Sequence, residues 1–526
     1  MSTPAPARPR RRWVMPAVCV ALLALGLGLR PLWEWADFLP AWRGLVAHTA
    51  RACLILSVAL LLSWFFHGAG FEMGVRVAGM VLLFLLAGAG VAAVREVDFD
   101  GDLGPILRFR WEPSAQGLFD RSRDQDEPGE ARPIDLTIDP VLDFPRYRGL
   151  RGDGIVTPPE LFSTDWSELG PKVVWRRRCG AGYSGFAVAG NVAVTLEQRR
   201  GDEALVCYDR DSGRENWVYS YPARFTDVFG DGPRSTPTIH AGRVYSLGAT
   251  GVLACVDGVT GKENWKVNVL GESNRPVAWG VSGSPLIVED LGLVVVAVGG
   301  KSGPSLAAYD LDGKPRWTGG VPGGGYSSPV LATLAGRRQV VLFDSGGLAG
   351  FDVGDGKELW RHEWKTAFDM NISQPLVLSE DRVFVSSEAS NGGVLLQIVA
   401  LDGKFSAEMI WQTNDLAAKF SNPVALGGAI YGVDVGTLVC LDERTGERRW
   451  RGKRYGHGQV LAAGGMLVVQ SERGAISIVS AKTKGFEQLA TMAVFRDKTW
   501  NTPALAGRRL FMRNAAEMAC VELPPR

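Results

Sequence analysis

Histidine is scarce in this chain, with five residues in 526, and the five are scattered. None stands in an HExxH or similar metal-binding spacing. Seven cysteines include no CxxC pair, which argues against zinc sites and a disulfide framework. Formal net charge is +1, so no global field draws nucleic acid or an anionic membrane surface. Catalytic signatures are also missing. GYSGF departs from the nucleophile elbow GxSxG because Phe186 replaces its last glycine. GAGYSG at 180–185 matches GxGxxG but precedes an alternating strand pattern, not the helix a dinucleotide needs. GGKSG at 299–303 lacks the upstream glycine of a phosphate loop.

Long apolar runs, by contrast, are present. Residues 1–95 carry three, predicting transmembrane helices at about 13–30, 52–70 and 77–94. Trp33, Trp35 and Trp42 suit an interfacial belt, and the arginines of the 8–12 cluster favour a cytoplasmic N-terminus. An odd number of spans then places the remainder outside the cytoplasm. Residues 96–171 read as a connector of extended or loop-like segments, charged in RSRDQDEPGEARP and turn-rich in PRYRGLRGDGIVTPP. Within it, DFDGDLG (98–104) resembles part of a calcium loop. Its glycine falls at the seventh place and no glutamate closes it, so it reads as a solvated loop.

From residue 172 onward one phrase returns. Asp209, Asp257, Asp310, Asp352, Asp402 and Asp442 are followed seven to nine residues later by Trp217, Trp265, Trp317, Trp360, Trp411 and Trp450, with a glycine between. In phase with it, STP, GSP, SSP, SQP, SNP and NTP place prolines at 237, 285, 329, 375, 423 and 503. With two proline-free segments, at 183 and 457, this makes eight units averaging about 44 residues, the period of a β-propeller. The phrase itself predicts a third strand, a hairpin and the start of a fourth. Cys207, Cys255, Cys440 and Cys520 share a slot that Ala308, Gly350 and Ala400 fill elsewhere, so it is a small packing position. Cys179 lies outside the register and is the candidate for a reactive thiol. The last unit has three strands, and KVVWRR at 172–177, with Trp175, supplies the fourth. The fold class is thus all-β: an eight-bladed propeller over 172–526, closed by an N-terminal strand and preceded by transmembrane helices.

These repeats resemble the pyrroloquinoline-quinone-like (PQQ-like) propellers, whose tryptophan-docking motif is A-x-D-x-x-T-G-x-x-x-W. GPRSTPT, YSSP, RYGHGQVL and KTWNTPAL read like signature phrases of the group. The family contains quinoprotein alcohol dehydrogenases and non-enzymatic, BamB-like scaffolds. The resemblance implies structural docking by Trp175, Trp217, Trp265, Trp317, Trp360, Trp411 and Trp450. Quinone chemistry in that family implies vicinal cysteines and a calcium site. This chain has no adjacent cysteines, and none of its residues matches the calcium motif. The expectation is no cofactor, with PQQ and calcium as the alternative. The layout implies a scaffold in the bacterial inner membrane, its propeller periplasmic, binding an envelope protein, a glycan or a small molecule, and not nucleic acid. Residues just before each first strand belong at the mouth of the central channel: Tyr183, Arg234, Trp279, Tyr326, Asn371, Phe420, His457 and Trp500. Aromatic and polar groups converging there suit a ligand site, or alternatively a plug of the channel.

Overall fold

The computed structural model describes residues 14–35, 40–68, 71–123, 132–157, 162–271, 274–388 and 392–526. The arginine cluster at 8–12 and residues 124–131 and 158–161 of the connector lie outside the described residues. The chain divides into two compact units: residues up to Glu96 with Leu107–Trp111, and Val97–Ile106 with Glu112–Arg526.

The first unit is helical. Helices α1 (Val14–Trp35), α2 (Pro40–Ser63) and α3 (Met73–Ala93) lie at the three apolar runs. α1 packs on α2 where Gly26 leaves no room for a Cβ beside Leu54, and Ser57 Oγ donates to the Cys19 carbonyl at 2.9 Å. Only α3, among the described residues, is long and apolar enough to cross a membrane; the apolar stretches Met15–Leu27 and Ala52–Phe66 are shorter. Arg110 closes its C-terminal end, donating from its backbone nitrogen to the Ala93 carbonyl (2.9 Å) and from Nε to the Ala92 carbonyl (2.7 Å).

The second unit is an eight-bladed propeller: seven four-stranded sheets and one with a fifth strand. Blade two shows the plan, with strands Thr238–His240, Arg243–Leu247, Val252–Asp257 and Glu263–Asn268 pairing in sequence order. Blade eight takes its outer strand from Lys172–Arg178, which pairs with Glu517–Glu522 so that Trp175 faces Cys520. Closing the ring this way gives blade eight the outer strand it otherwise lacks and covers the edge at Glu517–Glu522.

The repeated phrase now has a geometry. The Asp209 and Asp257 carboxylates accept backbone N–H groups two to three residues on, and the turn glycines Gly213 and Gly261 both have φ +68. The tryptophan ring of the preceding blade lies over these glycines, Trp175 on Gly213 and Trp217 on Gly261. Each indole Nε1 donates across the seam, Trp175 to the Arg210 carbonyl (3.0 Å) and Trp217 to Gly258 (2.9 Å). Trp265, Trp411 and Trp450 do the same to Leu311 (2.8 Å), Glu443 (3.1 Å) and Lys482 (2.8 Å). Two depart. Trp360 bonds Gln339 of its own blade at 2.5 Å, and the Trp317 indole N–H is buried without a partner although its ring covers Gly356.

The cysteine slot is the position facing this tryptophan on the adjacent strand. Cys207 faces Trp217, Cys255 faces Trp265, Cys440 faces Trp450, and Ala308 and Gly350 face Trp317 and Trp360. Ala400 does not belong to the set. Blade five has a longer hairpin, Gly392–Leu401 against Lys404–Thr413, in which Leu395 faces Trp411 and Ala400 faces Phe405. Asp402 and Gly403 are therefore the tip of an extended hairpin, outside the register of the other turns.

The connector is also more ordered than its composition suggests. It contains helix α4 (Ala115–Arg123), anchored by Phe119, which is 2 % exposed with the Arg199 guanidinium 4.9 Å from its ring. Ile155–Val156 joins blade seven as its fifth strand, parallel to Ala462–Ala463.

Candidate functional site

The prolines of the repeat start the inner strands, and in four blades the residue just ahead of the inner strand bonds the next blade. Gly185 N donates to Thr236 Oγ1 (3.1 Å), Thr236 N to Ser284 Oγ (2.9 Å), Ser284 N to Ser328 Oγ (2.9 Å) and Gln374 N to Asn422 Oδ1 (2.6 Å). This polar belt fixes the inner strands around the axis, each bond contributing about 0.5–1.5 kcal/mol. Chain segments just ahead of the belt are thereby aimed at the mouth.

Most of the predicted mouth residues do converge. Trp500 is the hub: its ring centroid lies 4.6 Å from Phe420, 5.4 Å from Tyr183 and 6.0 Å from Phe229. Phe229 continues to Trp279 at 6.2 Å, Trp279 to Tyr326 at 5.2 Å, and Phe420 to His457 at 5.8 Å. Arg234 stands 5.5 Å over the Tyr183 ring and pairs with Asp227 at 2.5 Å. Asn371 serves the fold. It is fully buried, its Oδ1 accepts from Thr366 Oγ1 (2.8 Å), and its carbonyl accepts from Tyr326 N (3.0 Å).

Five further residues complete the mouth. Phe229, Lys419, Arg454, Glu472 and Lys498 lie there, and the last four receive, with His457, the turn read from sequence as a solvated loop. That reading is corrected by the structure. The Asp98 carboxylate pairs with Lys498, whose Nζ also donates to the carbonyls of Phe99 (3.0 Å) and Phe229 (2.6 Å). Gly101 is buried, its N–H donating to Glu472 Oε1 at 2.6 Å and its carbonyl accepting from Lys419 Nζ at 2.7 Å. Asp102 pairs with Arg454 and meets His457 Nε2 at 3.3 Å. Burial pushes the Asp102 carboxyl up, but the bond with His457 and the Arg454 charge overcome it and hold it well below the usual range. Glu472 also accepts from Trp500 Nε1 (2.8 Å) and His457 N (3.2 Å). In the sequence, Lys498 stands two residues before Trp500, Lys419 next to Phe420 and Arg454 three before His457, whereas Glu472 and Phe229 carry no such positional signal.

The far end of the channel is crossed by the connector. The Pro145 carbonyl accepts from Ile239 N of blade two (2.8 Å), and Arg148 Nη2 donates to the Pro423 carbonyl of blade six (2.7 Å). Those blades stand opposite one another in a ring of eight, so residues 145–148 span the axis. Tyr147 OH accepts from Asn422 Nδ2 (2.7 Å), and Ala462 N of blade seven donates to the Gly154 carbonyl (2.9 Å). Arg148 is 3 % exposed. Its guanidinium rests on backbone carbonyls, a cheap way to satisfy a buried cation.

The adjacent cysteines that the resemblance implies for quinone chemistry do not occur, since no two of the seven cysteines are neighbours. No group of three or more His, Cys, Asp or Glu side chains able to hold a metal occurs among the described residues. The mouth carboxylates are committed to Lys498, Arg454, His457, Trp500 and Gly101. Cys179 is buried, its Sγ 3.6 Å from the Asn514 carbonyl, and burial pushes its thiol up to about 12.

Residues 164–273 and 201–452 match the family described as outer membrane protein assembly factor BamB, together more than half of the chain. No curated protein matches. Among solved structures, BamB from Moraxella catarrhalis is 14 % identical, with 67 % of this chain and 99 % of that one covered and a TM-score of 0.47. The quinohemoprotein alcohol dehydrogenase of Comamonas testosteroni is 12 % identical, with 78 % and 83 % covered and a TM-score of 0.52, a likeness of fold. Eight blades built on the repeated hairpin, together with the matched residues, place this chain in the BamB-like family of PQQ-like β-propellers.

Proposed function

We propose that the chain is a propeller tethered to the bacterial inner membrane and exposed on the periplasmic side, where it works as a binding or assembly scaffold for envelope proteins. One observation carries this reading: both ends of the channel are taken by the chain's own connector, residues 98–102 at the mouth and 145–148 at the other end. The connector thus occupies the axis that a reacting small molecule would use, whereas the loops around the mouth remain outward. Val228 and Val435, beside mouth residues, are 60 % and 40 % exposed. The assembly role in the family's description agrees with such a surface. The tether rests on α3 and on the arginines at 8–12, which favour a cytoplasmic N-terminus.

The test uses the full chain in its own membrane, with photo-crosslinking residues at Val228 and Val435. Crosslinks to a reproducible set of envelope proteins are expected, together with digestion of the propeller by protease once the outer barrier is opened. A propeller protected until the inner membrane is dissolved overturns the location. Dye reduction with an alcohol after loading with PQQ and calcium overturns the scaffold.

A further inference from the structure

The turn at 98–104 is braced by its own hydrogen bonds. Asp100 Oδ1 accepts from Gly104 N (2.6 Å) and Asp102 N (3.1 Å), and Leu103 N donates to the Asp100 carbonyl (3.0 Å). This bracing leaves five groups facing the propeller: two carboxylates, two carbonyls and one N–H. Each finds a complementary group. Lys498 takes the Asp98 carboxylate and the Phe99 carbonyl, Glu472 the Gly101 N–H, Lys419 the Gly101 carbonyl, and Arg454 with His457 the Asp102 carboxylate. Size is read as well as charge, because a Cβ on residue 101 would overlap the His457 ring.

Two features separate this contact from core packing. The holding groups are ionic, and one end of the contact reaches solvent: the Asp102 and Arg454 side chains are 32 % and 21 % exposed and Leu103 beside them is 56 % exposed, while Lys498, His457 and Glu472 are buried. The receiving groups are braced independently of the turn: the Trp500 ring packs against Phe420 at 43°, Glu472 is held by Trp500 and by His457 N, and Lys498 Nζ lies 4.5 Å from the Trp500 ring. Removal of the turn therefore leaves a formed site with Lys498 and Arg454 lacking their carboxylates. Preorganised, charge-assisted donors of this kind bind any ligand of the same shape and charge.

We infer that the channel mouth is a receptor for an acidic turn of the form Asp-x-Asp-Gly-Asp, occupied in this chain by residues 98–102 and exchangeable for the same kind of turn on a partner protein. The inference rests on the scaffold reading and names the partner's chemistry. A tethered turn competes at an effective concentration in the millimolar range. The incoming turn thus displaces it only when the partner is held nearby or the tethered turn is weakened.

The experiment uses the full-length chain in detergent and a fluorescein-labelled peptide DFDGDLG. Gly101→Val ejects the tethered turn, and cleavage by an Asp-specific endoproteinase reports its release; Asp102→Asn is a second variant that leaves the backbone intact. The expected result is faster cleavage in both variants and peptide affinity at least tenfold above that of the unaltered chain, lost again when Lys498→Ala is added. A released turn with no gain in peptide binding overturns the receptor. A turn that stays protected in both variants, at an unchanged melting temperature, overturns the exchange. Concentration-dependent dimers of the unaltered chain that exchange turns assign the site to a second copy and overturn the partner. If the scaffold reading alone fails, crosslinks at Val228 and Val435 vanish while peptide still titrates onto Gly101→Val.

Discussion

Glu203 in the first blade has no solvent contact. Its carboxylate accepts from Ala249 N at 2.8 Å and from Tyr221 OH at 3.0 Å, bridging to the second blade. Two neutral donors do not offset the loss of water, so burial raises its pKa to about 7 from an ordinary 4.5. A carboxyl raised in this way contributes stability that is full below about 4.5 and lost as pH rises through 7. Glu203→Gln removes the charge, keeps an oxygen for the Ala249 N–H, and turns its amide nitrogen into a donor to the Tyr221 hydroxyl oxygen. It is expected to flatten the fall of melting temperature across that window and to be the more stable protein above pH 7, by on the order of 3 kcal/mol. Parallel melts from pH 4 to pH 8 check this. The cysteine slot gives a second expectation. Because Ala308 occupies the equivalent place, Cys255→Ala should cost under about 1 kcal/mol, whereas Cys255→Leu, driven against Trp265, should cost about 1–3 kcal/mol in chemical denaturation. Smallness of the slot was legible because four cysteines, an alanine and a glycine recur at one offset. Its cause, a tryptophan across the strand, was not, and Ala400 entered the set only because the blade-five hairpin lengthens without changing the phrase.

Single elements differ in how they announce themselves. The closing strand was readable because KVVWRR carries the tryptophan that the last blade lacks, and the register puts Trp175 opposite Cys520 as required. Deleting 172–178 is expected to expose the edge at Glu517–Glu522 and lower the melting temperature of the whole ring, not of one blade. An unchanged transition in calorimetry would refute closure by this strand. Helix α4 escaped notice because nine residues with one buried anchor, Phe119, produce no periodic signal. The turn at 98–104 escaped for another reason. Aspartate and glycine in a row mark solvent-exposed loops, and the groups that receive them stand more than 300 residues away, Lys419 at a separation of 318 and Glu472 at 371. No local pattern encodes such a meeting.

For the whole molecule, the repeat fixes the number of blades and the direction of each inner strand, and so the convergence of Tyr183, Trp279, Tyr326, Phe420, His457 and Trp500. What the repeat cannot encode is the non-repeating chain that enters the ring from both faces. Phe144, Pro145 and Arg148 look like turn-rich linker, yet Phe144 is 1 % exposed and bonded to Val188. An inner channel lined by first strands presents unsatisfied backbone groups, and a linker with free N–H and carbonyl groups pairs with them as readily as another strand.

The closing strand also carries a consequence for biosynthesis. Arg176 and Glu517, neighbours in blade eight, are separated by 341 residues. At a translation rate of about 5–20 residues per second, the strand at 172–178 waits roughly 17–70 seconds for its partner. Throughout that delay it is an apolar, β-branched edge open to any other nascent chain. Its remaining residues answer the hazard: Lys172, Arg176, Arg177 and Arg178 give the waiting edge four positive charges, which repel a second copy of the same strand until Glu517 and Glu522 arrive to pair with it.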